Sequence, residues 1–172
     1  MIFNVAQLLK APTGTRREYE LREDIGSLDE EIRAVEPLTG RLKLTRSAGG
    51  VLATGTLHTV VNIDCRRCLR TFTSPVEVQL EEEFVPTVDV TTGAPLPTGE
   101  TEPELLINER HELDLSEVVR QHIILQREQY PLCSEACLGL CPECGQNLNE
   151  GPCGCRDLTE DPRWAALREL LP

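Results

Sequence analysis

The chain has 172 residues, eight cysteines, 40 % hydrophobic residues and a formal charge of −12. That length and apolar content suit one domain with a real core plus a small appendage, and exclude a disordered chain. Aromatics at 3 % leave few rings for a base-stacking platform, and the acidic balance makes a polyanion a poor global partner and a basic protein an easier one.

Residues 1–36 carry weak signals. The opening residues 1–10 show neither a basic leader nor a long apolar run, so an intracellular setting is expected. No stretch approaches the ~18 apolar residues of a membrane span. Arg17-Glu18-Tyr19-Glu20-Leu21 predicts a strand, and residues 28–32 a helical turn. Residues 37–84 predict β structure. Leu42 and Leu44 alternate with polar neighbours, and Ser47-Ala48-Gly49-Gly50 supplies a turn. From Val51 to Ile63 the odd positions are mostly apolar; after residue 70 the even positions Phe72, Val76, Val78, Leu80 and Phe84 repeat the period of two that marks half-buried strands. The joining segment Asp64-Cys65-Arg66-Arg67-Cys68-Leu69-Arg70 places the first cysteine pair at a hairpin tip, and Gly55 and Pro75 suit a bulge or an edge.

Residues 86–103 hold Pro86, Pro95, Pro97 and Pro103 with Gly93 and Gly99, a density of breakers that predicts an exposed, acidic, mobile loop. A helix is predicted from Asp114 as N-cap, with Glu117 completing a capping box and Leu115, Val118, Val119, His122 and Ile123 on one face. Pro131 ends it by Tyr130. A short last helix is predicted from Asp161 and Pro162, with Trp164, Leu167, Leu170 and Leu171 as its apolar stripe, packed on its own domain or docking a partner. The expected fold is α+β: an antiparallel β-sheet, barrel-like if it closes, a packed helix, and a cysteine-rich zinc-binding C-terminal module. The expected domains are 1–130, carrying the hairpin tip and the 86–103 loop, and 131–172.

The cysteines fall as Cys65-x2-Cys68, Cys133-x3-Cys137-x3-Cys141-x2-Cys144 and Cys153-x-Cys155. Without an export signal, close pairs point to metal or redox chemistry rather than disulfides. Zinc takes four soft donors in a tetrahedron, and a two-residue spacer bends the chain so that both sulfurs face one ion. Pro142 stiffens such a turn and Gly145 can take positive φ just past the second ligand. Cys153-x-Cys155 is tighter than a standard second pair. The preferred partition puts Cys141, Cys144, Cys153 and Cys155 in one local site. Cys65, Cys68, Cys133 and Cys137 form a second, which clips the hairpin tip to the helix end across 64 intervening residues. One or two Zn²⁺ are expected. Two tetrathiolate centres, each adding two negative charges, take the charge from −12 to about −16. The alternatives are two free thiols at the tip, an iron–sulfur cluster, and a redox dithiol, although no helix signal follows Cys65.

His58, His111 and His122, the only histidines, read as packed or surface residues, and no Ser/His/Asp signature, P-loop or Gly-x-Gly-x-x-Gly is present, so an enzyme and a small-molecule substrate are not expected. Arg66, Arg67 and Arg70 either offset the charge of a thiolate site or contact RNA phosphate. Glu81-Glu82-Glu83 reads as a solvated strand end or an attractor of basic protein.

The hairpin with Cys65-Arg66-Arg67-Cys68-Leu69, the strand from Val76 to Phe84, the Asp114 helix, the string Leu138-Gly139-Leu140-Cys141-Pro142-Glu143-Cys144-Gly145-Gln146-Asn147-Leu148-Asn149 and the closing Asp161-Pro162-Arg163-Trp164 resemble the YceD family of large ribosomal RNA subunit accumulation proteins. The resemblance runs along the whole chain and is firm from Asp64 onward. It implies a cytoplasmic protein without established catalytic activity, needed for accumulation or processing of large-subunit (23S) ribosomal RNA. The expected role is a non-enzymatic ribosome biogenesis factor that contacts a basic ribosomal protein or a large-subunit assembly intermediate, with no membrane partner. Direct ribosomal RNA binding through Arg66, Arg67 and Arg70 is the alternative, and a thiol redox protein the weaker one.

Overall fold

Period-two alternation becomes two long neighbouring strands around which the rest of the sheet forms. The computed structural model describes residues 1–127 and 130–155. Its elements are β1 (Ile2–Asn4), α1 (Ala6–Leu9), β2 (Arg16–Glu23), β3 (Arg33–Ala34), β4 (Leu38–Arg46), β5 (Val51–Asp64), β6 (Thr71–Pro86), β7 (Leu106–Ile107), β8 (Glu112–Asp114) and α2 (Ser116–Gln126). The expected helix at 161–171 lies outside the described residues. The chain divides into two units, Met1–Ile63 with Thr71–Gln129, and Asp64–Arg70 with Tyr130–Pro172. The hairpin tip thus belongs with the cysteine-rich segment, not with the 1–130 body in which it was expected.

The first unit is an α+β sheet of six strands in the order β2-β4-β5-β6-β7, with β3 pairing β5. β4 and β5 pair antiparallel from Arg46↔Val51 to Thr39↔His58, turned by the Ser47 N–H bond to the Gly50 carbonyl at 3.1 Å. β3 takes up the same side of β5 farther on, at Ala34↔Val61. The sheet is mixed, because β7 runs parallel to β6 at Val85↔Leu106 and Pro86↔Ile107. It is open, which corrects the barrel expectation: β2 and β7 are its ends and do not pair. A dense run of charge along β2, with Arg16, Arg17, Glu18, Glu20, Arg22 and Glu23 all exposed, guards one edge against pairing.

Inward residues Leu42, Leu44, Ala53, Leu57, Val78 and Phe84 are fully buried in one core, which Val119 and Ile123 of α2, packed on β6, share. Gly55 sits opposite Leu42 in the middle of the sheet, not at a bulge or edge; a Cβ there would run into the Arg41 carbonyl oxygen. Pro75 lies in the part of β6 that β7 does not reach. Residues 28–32 make a turn closed by Ile32 N–H on the Asp29 carbonyl, and no helix. The 86–103 loop carries a single bridge, Val88↔Pro95, stabilised by the Asp89 carboxylate accepting from the Thr91 and Thr92 N–H groups.

The capping box at α2 does not form. Asp114 ends β8, paired with Ile2, and its carboxylate accepts from Ser116 N–H at 2.9 Å, while Leu115 occupies the cap. Glu117 turns instead to Arg120, which holds it with two bonds of 2.8 and 2.7 Å and reaches Asp29 at 2.8 Å. Hydrogen bonds from Arg120, then Gln121, hold the Glu117 carboxyl down at about 2, and the Glu31 N–H, then Arg120, lower Asp29.

Two outcomes follow from this packing. Phe84→Ala, which empties a fully buried site, lowers unfolding free energy by about 3–5 kcal/mol in urea titration. Depressed carboxylates stabilise above their unfolded range of about 4 and lose that contribution as pH falls through their folded values. Arg120→Ala therefore lowers the melting temperature near neutral pH, and its deficit against wild type shrinks as pH falls from about 4.5 towards about 2. A deficit constant over that range contradicts the ion-pair account.

Candidate metal centre

In the second unit the chain folds the same turn twice. At the tip, Leu69 N–H bonds the Cys65 carbonyl and Cys65 N–H bonds the Arg70 carbonyl, both at 2.9 Å. In the tail, Gly145 N–H bonds the Cys141 carbonyl at 2.9 Å and Cys141 N–H the Gln146 carbonyl at 2.8 Å. Each turn needs a left-handed residue just past its second cysteine. Gly145 supplies it at φ 74°, and Leu69 takes it at φ 59° with two-thirds of its surface exposed. The sequence reading missed this; laying Cys-x-x-Cys-Leu over Cys-x-x-Cys-Gly would have exposed it.

The eight sulfurs gather in two groups of four with the membership expected from spacing. Cys65, Cys68, Cys133 and Cys137 form the tip group; Cys141, Cys144, Cys153 and Cys155 form the tail group; within each, all sulfurs lie within 4.8 Å of one another. The segment from Pro131 is brought to the tip by the Arg66 N–H bond to the Pro131 carbonyl at 2.9 Å. Cys65 Sγ lies 3.8 Å from Cys137 Sγ, and Cys68 Sγ 3.6 Å from Cys133 Sγ. A tetrahedron of sulfurs about 2.3 Å from a central ion has edges of about 3.8 Å, so the spacing fits a thiolate-bound metal and is far too long for a disulfide. The groups differ in cover. Cys65, Cys68 and Cys137 are buried, whereas Cys144 and Cys155 are exposed.

The electrostatics suit a cation. The Cys133 backbone N–H brings the Cys65 thiol down to about 6, and the Cys144 and Glu143 N–H groups bring Cys141 to about 7. Burial opposes ionisation of Cys137, but the Asn149 side chain and Gly139 N–H outweigh it and lower that thiol. Burial and then the Cys68 sulfur push Cys133 up to about 12; the Cys144 sulfur and then burial push Cys155 up to about 12. In each group, then, some thiols ionise readily and their charge opposes ionisation of another: Cys65 and Cys137 against Cys133, and Cys141 against Cys155. A central divalent ion would remove that opposition and take the place of the protons.

The three arginines part company. Arg67 donates to the Cys137 carbonyl at 2.9 Å, so it braces the tip group. Arg66 lies over the Tyr130 ring at 5.1 Å, and Arg70 is exposed. No histidine joins either sulfur group: His122 meets Glu82 at 3.3 Å, His58 lies 3.7 Å from Glu77, and His111 sits in a turn at φ 61°. Glu83 accepts from the Ser47 hydroxyl at 2.6 Å. No described helix is long and apolar enough to cross a membrane. Because Leu69 holds a conformation that costs a side chain more than glycine, Leu69→Gly raises stability by up to about 1 kcal/mol. A thermal melt that falls instead would show the Leu69 side chain to be held by packing.

A family model described as large ribosomal RNA subunit accumulation protein YceD matches residues 53–171, which span the tip, α2 and both sulfur groups. An uncharacterized protein of Mycobacterium tuberculosis is 35 % identical over 130 residues, covering 76 % of this chain and 60 % of the relative. One from Mycobacterium leprae is 24 % identical over 174 residues, covering 99 % and 77 %. The chloroplastic large ribosomal RNA subunit accumulation protein YCED homolog 1 of Arabidopsis thaliana is 34 % identical over 59 residues, 34 % of this chain and 18 % of that protein. The chain spans about 60 % of the length of relatives such as that of M. tuberculosis. No solved structure matches. With its tip, its helix and all eight of its cysteines inside the matched region, the chain belongs to the YceD family of large ribosomal RNA subunit accumulation proteins.

Proposed function

We propose that this protein is a cytoplasmic, non-enzymatic factor in large-subunit ribosome biogenesis, supporting accumulation or processing of 23S ribosomal RNA through protein contacts, with a zinc ion in each sulfur group. The family match over residues 53–171 is the observation that carries the role. Sulfur spacing supports zinc, whose preference for four thiolates in a closed tetrahedron is that of structural sites. In such sites the ion supplies shape, and the chain's own residues, Arg67 on the Cys137 carbonyl among them, hold the ligands in place.

Charge selects the partner. At −12, moved to about −16 by two tetrathiolate centres, the protein attracts a basic ribosomal protein and repels naked phosphate. A second reading has one specific observation in its favour. Arg66 stacked on an exposed Tyr130, beside exposed Arg70 and Leu69, is a small basic and apolar surface of the kind that contacts RNA. The redox reading has less support, since β6 and not a helix follows Cys68.

Binding of the full chain to a basic large-subunit protein and to large-subunit RNA, titrated against salt, separates the readings. The proposal predicts salt-sensitive binding to the protein that Arg70→Glu leaves intact or strengthens. Tight RNA binding that Arg66→Glu and Arg70→Glu abolish overturns it in favour of direct RNA contact.

A further inference from the structure

The two sulfur groups share more than a unit. Leu138-Gly139-Leu140 separates Cys137 of the tip group from Cys141 of the tail group, and this short segment pairs with residues 146–149, which lie between the tail ligands Cys144 and Cys153. Leu148 N–H bonds the Gly139 carbonyl at 2.9 Å, Leu140 bridges Asn147, and Cys141 N–H bonds the Gln146 carbonyl. At the end of this clasp sits Asn149. Its Oδ1 accepts from Leu138 N–H at 2.8 Å, and its Nδ2 donates to Asn147 Oδ1 at 2.7 Å and to Cys137 Sγ at 3.4 Å.

Those partners set which way the amide faces. A backbone N–H can only donate, so the atom opposite Leu138 is the oxygen, and the NH₂ group is left for the sulfur and for Asn147. A residue of the tail loop therefore reaches a ligand of the other group. We propose that Asn149 is a positioning residue coupling the two metal centres: the loop closed by the tail group delivers an amide N–H to the Cys137 sulfur of the tip group, so each centre is held more tightly when the other is filled. Donors to a ligand atom hold its direction and temper its charge, and their loss typically costs 10–100-fold in metal affinity. Coupling between two binding sites is reciprocal by linkage. The inference rests on the reading of both groups as metal centres.

Exchange of bound zinc for isotopically labelled free zinc in the loaded full chain, with the charge-transfer spectrum of the cobalt-substituted chain, tests it. The exposed tail group is expected to exchange fast, and free zinc is buffered high enough to keep it filled, so the slow phase reports the buried tip group beside a loaded tail. Asn149→Asp keeps an acceptor for Leu138 but has no N–H for the sulfur. It speeds the slow phase by about tenfold or more and shifts the sulfur-to-cobalt band. Cys155→Ser, which touches no tip ligand, speeds the slow phase to a similar degree, and Asn149→Asp adds little in that background. An unchanged slow phase in Asn149→Asp, or in a Cys155→Ser chain that holds one ion, overturns the coupling, as do effects that multiply in full in the double variant. A wild-type chain carrying fewer than two ions overturns the metal reading beneath it, and stoichiometry alone reports that outcome.

Discussion

Four sulfurs drawn from two distant stretches of chain are the constraint on which the second unit depends. Cys65 and Cys68 lie at the end of a long hairpin; Cys133 and Cys137 follow α2; 64 residues intervene between Cys68 and Cys133. The described part of that unit, residues 64–70 and 130–155, buries few apolar side chains apart from its own cysteines. A segment of that size cannot fund its order from a hydrophobic core, and small units of this kind use metal or covalent staples. Closing a long loop removes the most chain entropy in the simple chain-entropy model. The repeated turn geometry at Cys65 and Cys141 then fixes where each pair of sulfurs points.

Much of this was legible in the sequence because it rests on local rules. Alternation from Val51 to Phe84 specifies two strands whose side chains can face only two ways. Cysteine spacing restricts which sulfurs can share an ion, and the partition into Cys65, Cys68, Cys133, Cys137 and Cys141, Cys144, Cys153, Cys155 recurs in the structure. What was not legible depends on neighbours distant in sequence. β7 is two residues long, so no periodicity reveals that it lies parallel to β6 and leaves the sheet open. Asp114 carries a cap signal, but strand pairing with Ile2 claims it first. Gly55 reads as a weak point of a strand, and only the adjacent Arg41 carbonyl shows it to be a close approach. Asn149 looks like one polar residue among several until its three partners are in view.

Shape and charge meet in the same atoms. A divalent ion held by four thiolates in either sulfur group would add negative charge to an already acidic protein, so the same atoms that could order the second unit would also add to its charge. Arg66, Arg67 and Arg70 moderate this at the tip, each in its own way: one stacked on Tyr130, one bonded to the Cys137 carbonyl, one facing solvent.

Elemental analysis of the natively purified, reduced chain, paired with a count of reactive thiols before and after denaturation, bears most directly on the central claim. The account predicts two zinc ions and no iron per chain, with thiols shielded until the protein unfolds. Metal-free protein that is nonetheless folded, with its eight thiols freely reactive, would contradict it.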